Sequence, residues 1–140
     1  MTILWTAELE TGIRHIDLQH QELVSLINQV TDALAQGRDQ ELLDQILPKL
    51  AGYVVFHFGS EESLLANAGV LASHAQHHRS AHHAFSARIQ QLKRACADGS
   101  ASANALPELA DYLQSWLMDH IVITDKELAR QIRNAPRGLR

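Results

Sequence analysis

The chain has 140 residues, of which 46% are hydrophobic and 20% charged, and its net charge is −4 with histidine neutral. This length suffices for one domain with an apolar core, and the lack of a basic excess argues against nucleic acid as a partner. No apolar run reaches the roughly 20 residues of a membrane span, and the N-terminal residues lack a signal-peptide pattern. Cys96 is the only cysteine, which excludes an internal disulfide and suits a reducing compartment. We therefore expect a cytoplasmic protein, and we expect it to be a monomer.

Two stretches with apolar residues at helical spacing occupy the first half of the chain. The first begins at Asp17, a plausible helix N-cap, and ends at Gly37. The second follows Asp39 and contains Pro48 and Gly52. Because proline disrupts a helix interior, we expect a kink or a late helix start there.

Two further helical stretches fill the second half. One ends at Gly99, and the last begins within residues 104–107. The connections around residues 37–39, 67–72 and 97–103 are short, so neighbouring helices should run antiparallel. The predicted fold class is all-α, an up-down-up-down four-helix bundle with an N-terminal arm.

The chain is expected to form a single domain over residues 1–140. Within it, residues 1–16 form the arm, residues 17–134 the four-helix bundle and residues 135–140 a solvated tail. No strand-like alternation of polar and apolar residues competes with this assignment.

Histidine and carboxylate residues interrupt the apolar stripes of the predicted helices. Buried groups of this kind need a hydrogen bond, an ion pair or a metal ion. When the connections are treated as mirror points, centred near residues 38, 70 and 101, the histidines of all the stripes fall at one height. Chance placement would scatter them, so we predict one layer of donor side chains across the bundle. Its members are His20, His57, Glu61, His78, His82, His120 and Asp125.

The donor types in this layer indicate the kind of metal that it would bind. His57 and Glu61 are spaced i,i+4, as are His78 and His82, so each pair lies on one helix face. Seven donors exceed the four that a zinc ion takes. Mixed imidazole and carboxylate donors suit iron, and carboxylates can bridge two metals in a helical bundle.

Four segments of the sequence carry a resemblance to a known family. They are GIRHIDLQHQELVSLIN, HFGSEESLL, HRSAHHAF and WLMDHIVITD, and they contain the motif set H…HxxxE…HxxxH…HxxxxD in successive helices. The chain resembles the hemerythrins, in particular the bacteriohemerythrins, over nearly its whole length. The resemblance implies two non-haem iron ions (Fe²⁺/Fe³⁺) joined by an oxo or hydroxo bridge. Carried over by position, it implies one iron on His78, His82 and His120, the other on His20 and His57, and bridging by Glu61 and Asp125.

Asp125 does not fit an ideal helix. Five residues rotate it about 140° away from His120, so that Thr124 would face the layer instead. Because the resemblance requires both His120 and Asp125 as ligands, it implies a local widening of the helix, such as a π-type turn.

The chain has more histidines than the layer needs. His74 and His78 form an i,i+4 pair that competes with His78 and His82, but His74 lies one turn too near the connection. The remaining histidines lie off the stripe or in the arm, and we expect them to be solvated. They are His15, His77 and His83.

The resemblance implies reversible dioxygen binding at the iron that has only two histidines. Nothing is consumed in such a reaction, so the expected function is oxygen storage, transport or delivery to an oxygen-consuming enzyme, and not catalysis. A diiron oxidase or peroxidase is the alternative, and an oxygen or nitric oxide sensor is a third possibility. Oxidising diiron bundles use glutamates and Glu-x-x-His pairs, whereas imidazoles outnumber carboxylates five to two in this layer.

Overall fold

The described residues form four long helices preceded by an arm. The structure is a computed structural model that describes residues 3–67, 72–100 and 104–133, and the predicted tail 135–140 lies outside these ranges. Helix α1 spans Arg14–Ala35 and α3 spans Ala72–Asp98. Helix α2 consists of Asp39–Glu41, a π-turn Leu42–Ile46 and Leu47–Asn67. Helix α4 consists of Ala105–Asp119, a π-turn His120–Asp125 and Lys126–Arg133.

Short connections and mutual packing make these helices an up-down-up-down bundle. Helix α1 packs against α2 and α4, and α2 packs against α3. No strand occurs in the described ranges. The predicted all-α fold class is therefore confirmed.

The core consists of aliphatic and aromatic side chains from every helix. Leu26, Val30, Leu50, Leu113 and Leu117 are among those with no measurable exposure. Burying each such side chain stabilises the fold by about 1.5–3 kcal/mol relative to leaving it in water. The histidine and carboxylate layer interrupts this core, and it therefore depends on compensating interactions.

Helix α1 begins four residues earlier than an N-cap at Asp17 predicts. Its first helical residue is Arg14, and the predicted N-cap role of Asp17 is wrong. The Asp17 carboxylate instead accepts hydrogen bonds from the Thr11 backbone N–H (2.7 Å), the Thr11 hydroxyl (2.7 Å) and the Gly12 backbone N–H (3.2 Å). These bonds reach back along the chain, so Asp17 stabilises the turn that enters the helix.

Helix α2 has its irregularity before the proline. A late helix start is wrong, because the helix begins at Asp39. Pro48 lacks a backbone N–H and cannot bond to the carbonyl of Asp44. The π-turn Leu42–Ile46 contains that carbonyl, whereas Gly52 lies within a regular segment.

The arm is attached to the bundle by hydrogen bonds and by the buried side chain of Leu9. The Ile3 backbone N–H donates to Asn28 Oδ1 (2.8 Å), and Asn28 Nδ2 donates to the Ile3 carbonyl (2.9 Å). A short turn, Ala7–Leu9, buries Leu9 and packs against the π-turn of α4. None of the helices described combines the length and the apolar character needed to cross a membrane.

Candidate metal centre

All four helices contribute donor side chains to one buried cluster. Every donor is at most 3% exposed. Helices α1, α2, α3 and α4 contribute, in that order, His20; His57 and Glu61; His78 and His82; and His120 and Asp125. The structure thus brings together all seven residues that the sequence selects.

Glu61 lies between imidazoles from three helices. Its Oε1 atom is 2.7 Å from His57 Nε2, 3.1 Å from His120 Nε2 and 3.3 Å from His82 Nε2. Its Oε2 atom is 3.3 Å from His78 Nε2. The carboxylate therefore has a nitrogen donor near each of its oxygens.

Asp125 occupies the corresponding position on the other side of the cluster. Its Oδ2 atom is 2.6 Å from His20 Nε2 and 2.8 Å from His120 Nε2. Its Oδ1 atom is 2.9 Å from His78 Nε2. Both carboxylates thus contact imidazoles on opposite sides of the layer, which is the arrangement that bridging ligands need.

The donor atoms fall into two overlapping groups. Within each group, one ligand atom per residue lies within 4.8 Å of all the others. One group contains His20, His57, Glu61, His120 and Asp125, and the other contains Glu61, His78, His82 and His120. Since Glu61 and His120 belong to both groups, the layer has room for two neighbouring ions that share ligands.

The spacing and the unsatisfied atoms of the cluster fit metal ions. Two ligands at right angles, each about 2.1 Å from a metal, lie about 3 Å apart, and the nitrogen–oxygen contacts of both carboxylates include distances of 2.6–3.3 Å. His57 Nε2, His82 Nε2 and Glu61 Oε2 are buried and form no hydrogen bond within the described part of the chain. Unsatisfied buried polar atoms are costly, and a cation among them would satisfy all three.

The π-turn in α4 brings Asp125 to the cluster. In an α-helix, five residues would turn Asp125 away from the side of His120. The wider i→i+5 turn over His120–Asp125 returns the carboxylate to that side, where its Oδ2 atom lies 2.8 Å from His120 Nε2. The expected local widening is confirmed.

Competition between burial and ion pairing determines the charges of the cluster. Burial acts to lower the pKa values of His120 and His78, but the carboxylates outweigh it and raise them to about 10 and about 9. Burial acts to raise the pKa values of Glu61 and Asp125, and the adjacent histidines outweigh that effect and hold both below their usual range. For His82, burial dominates and lowers the pKa. The carboxylates raise the pKa of His57 as well, so without metal protonated imidazoles balance the two carboxylates.

Further side chains surround the imidazoles; the sequence places Trp116 one turn from His120 on the same helix face, whereas Gln19 and Phe58 were not predicted. Gln19 is 7% exposed, and its Oε1 atom lies 2.8 Å from His57 Nδ1. The Phe58 ring stacks on His82 at 3.6 Å between centroids, and the Trp116 ring stacks on His120 at 4.6 Å. These contacts restrict the orientation of three of the five imidazoles. The only sequence signal for Gln19 is a polar residue beside His20 on a buried helix face.

The surplus histidines lie away from the cluster where the structure describes them. His15, His77 and His83 are exposed, so the prediction that they are solvated is confirmed. The side chain of His74 lies outside the described part of the structure.

Comparisons with known proteins agree with this arrangement. The family model described as "Hemerythrin HHE cation binding domain" matches residues 11–132. The chain is 31% identical over 133 residues to bacteriohemerythrin of Pseudomonas aeruginosa, covering 95% of this chain and 83% of that protein. It is 31% identical over 123 residues to bacteriohemerythrin of Methylococcus capsulatus, covering 87% and 90%. A solved structure titled "Crystal structure of hemerythrin:wild-type" superimposes with a TM-score of 0.82 at 27% identity, covering 94% of this chain and 98% of that one.

Proposed function

Because this chain belongs to the hemerythrin family, we propose that it binds dioxygen reversibly at two iron ions held by the seven donors. The single observation that carries the proposal is the composition of the buried cluster. Five imidazoles and two carboxylates converge with their ligand atoms within 4.8 Å in each of two groups. Imidazole and carboxylate together are a donor set that suits iron.

The proposed assignment of ligands divides the cluster unequally. His78, His82 and His120 would hold one iron, His20 and His57 would hold the other, and Glu61 and Asp125 would bridge them. When bound, the two irons supply two electrons and one coordination position that the protein leaves unfilled. That position belongs to the two-histidine side, because this side has one nitrogen donor fewer.

Burial of the cluster favours a small ligand and a carrier function. All seven donors are at most 3% exposed, so an organic substrate has no access to the donor atoms, and burial favours a ligand as small as a diatomic molecule. The ring of Trp116 covers His120, and that of Phe58 covers His82, which excludes water from the three-histidine side. Neutral imidazoles also outnumber carboxylates, so the chain supplies little negative charge to stabilise more oxidised iron.

The biological use that we propose is storage, transport or delivery of oxygen to an oxygen-consuming enzyme, with no catalysis by the chain itself. The proposed localisation is cytoplasmic, and the proposed active form is a monomer. An oxidase or peroxidase activity is the alternative outcome of the test below.

Repeated exposure to oxygen and vacuum tests this function. The iron-loaded, reduced protein should take up one dioxygen per chain, develop a visible absorption band, and lose both in vacuum over several cycles. Oxygen uptake, released hydrogen peroxide and the band are measured on one sample. Irreversible loss of the reduced form in the first cycle, with peroxide release or oxidation of an added substrate, would favour the oxidase.

A further inference from the structure

A buried glutamine links helix α1 to one histidine of the two-histidine side. Gln19 Oε1 lies 2.8 Å from His57 Nδ1, and Gln19 Nε2 donates to Ser60 Oγ at 3.1 Å. Ser60 Oγ in turn donates to the Phe56 carbonyl at 3.2 Å. Gln19 is 7% exposed, so its side-chain amide is largely shielded from solvent.

The direction of each hydrogen bond follows from the carbonyl at the end of this chain. A carbonyl only accepts, so the Ser60 hydroxyl must use its proton on Phe56, and its oxygen can then accept from the Gln19 amide nitrogen. The amide oxygen must therefore face His57, and it can only accept. His57 consequently carries a proton on Nδ1, so Nε2, which lies 2.7 Å from Glu61 Oε1, is the nitrogen that can bind a metal.

The other imidazole of the two-histidine side, that of His20, is placed by its position in helix α1. His20 follows Gln19 directly in α1, and its Nε2 atom contacts Asp125. His20 Nδ1 and His82 Nδ1 are buried and form no hydrogen bond within the described ranges, so neither resembles His57 in this respect. Helix α1 thus orients both histidines of the two-histidine side, His20 by position and His57 through Gln19.

We propose that Gln19 is a positioning residue that holds His57 as a neutral Nε2 donor and, by being uncharged, sets the reduction potential of the metal on the two-histidine side. The inference rests on the proposed diiron function. An amide oxygen attracts the Nδ1 proton only weakly, whereas a carboxylate attracts it strongly and makes the imidazole a stronger donor. A stronger donor stabilises the oxidised metal, so the uncharged amide favours the reduced state that binds dioxygen.

Three variants separate the effect of Gln19 on the orientation of His57 from the effect of the charge at position 19. Gln19→Leu removes the acceptor, and Gln19→Glu keeps an acceptor and adds charge. Gln21→Glu adds the same charge at an exposed position of the same helix and is the matched control. If Gln19→Leu fails to fold, Ser60→Ala provides a milder variant, because it releases the amide of Gln19 without removing it.

Measurements on the zinc-loaded protein test orientation without iron or oxygen. In the wild type, ¹⁵N NMR should show His57 protonated at Nδ1 and metal-bound at Nε2. Competition with a chelator should show that Gln19→Leu lowers the affinity for the more weakly held ion by roughly 10–100-fold. Gln19→Glu should restore that affinity. Wild-type affinity in Gln19→Leu, or His57 protonated at Nε2 in the wild type, would overturn the proposal.

The iron-loaded protein tests the effect of charge. Gln19→Glu should have a lower midpoint potential than the wild type and oxidise faster in air, while Gln21→Glu should match the wild type in both. Equal potentials in Gln19→Glu and wild type would show that Gln19 has no influence on the metal. Should the wild type fail to release dioxygen, the zinc measurements still decide whether Gln19 positions His57, so the two proposals fail separately.

Discussion

Loading the cluster with metal should expel protons, and the number follows from the ion pairs. The pKa values of His78 and His120 are raised to about 9 and about 10, so both imidazoles are protonated at pH 7 in the metal-free protein. A metal can bind only the deprotonated Nε2 atoms. We therefore expect at least two protons to be released per chain at pH 7, and any proton lost from a bridging water adds to this number.

The same count predicts how the metal affinity depends on pH. With two protons displaced, the apparent binding constant should rise roughly 100-fold for each pH unit between about pH 7 and pH 8. Anaerobic titration with iron(II) in weakly buffered solution, followed with an indicator dye, measures the protons. His77→Ala is the control, because this histidine is exposed and its loss should leave the number unchanged.

Two results would refute this reasoning. Release of fewer than one proton per chain would show that His78 and His120 are neutral before metal binds. A protonated-carboxyl band in the infrared spectrum of the metal-free protein would place the protons on Glu61 or Asp125 instead.

Further predictions concern ligand identity, packing and pH. His82→Ala should lose one or both irons by elemental analysis, whereas His74→Ala and His77→Ala should keep them; loss in His74→Ala alone would move the ligand pair by one turn. Phe85→Ala should lower the free energy of unfolding by about 3–5 kcal/mol in denaturant titrations, because this side chain is 1% exposed and stacks on Trp116; a loss below about 1 kcal/mol would contradict that. The metal-free protein should lose stability as pH rises from 6.5 to about 10, since the two raised histidine pKa values stabilise the fold only while both groups are protonated; a melting temperature that is constant over this range would be inconsistent with the ion pairs.

The layer of donors could be predicted because a buried histidine requires a polar or metal partner. An imidazole on an apolar stripe needs a partner, and short connections fix the relative heights of antiparallel helices. The positions of His20, His57, His82 and His120 along their helices therefore suffice to assign them to one layer. The exposure of His77 follows from the same periodicity, since it lies about 100° from its neighbour on the stripe.

Helix ends and turn types could not be predicted in the same way. Aspartate is a common N-cap residue, so Asp17 fits that role by residue type. Its carboxylate instead accepts hydrogen bonds from the backbone N–H groups of Thr11 and Gly12, which lie before the helix. The spacing of apolar residues around the π-turn in α4 does not reveal it. The turn is required only because the side chains of His120 and Asp125 must both reach the metal cluster. The assignment of Asp125 as a ligand therefore depends on the family resemblance and not on helical periodicity.

Contacts around the ligands depend on distances between helices. Gln19 and Phe58 are each adjacent in sequence to a histidine of the cluster, yet each acts on a histidine from another helix. Gln19 in α1 reaches His57 in α2, and Phe58 in α2 stacks on His82 in α3. Sequence spacing within one helix contains no information about such partners.

Anomalous diffraction from crystals of the iron-loaded protein is the most direct test of the proposed centre. Data collected on either side of the iron absorption edge should show two peaks inside the bundle. One should lie beside His78, His82 and His120 and the other beside His20 and His57, with Glu61 and Asp125 contacting both. A single peak, or a second peak beside the exposed His77 or His83, would contradict the assignment of two irons to these seven side chains.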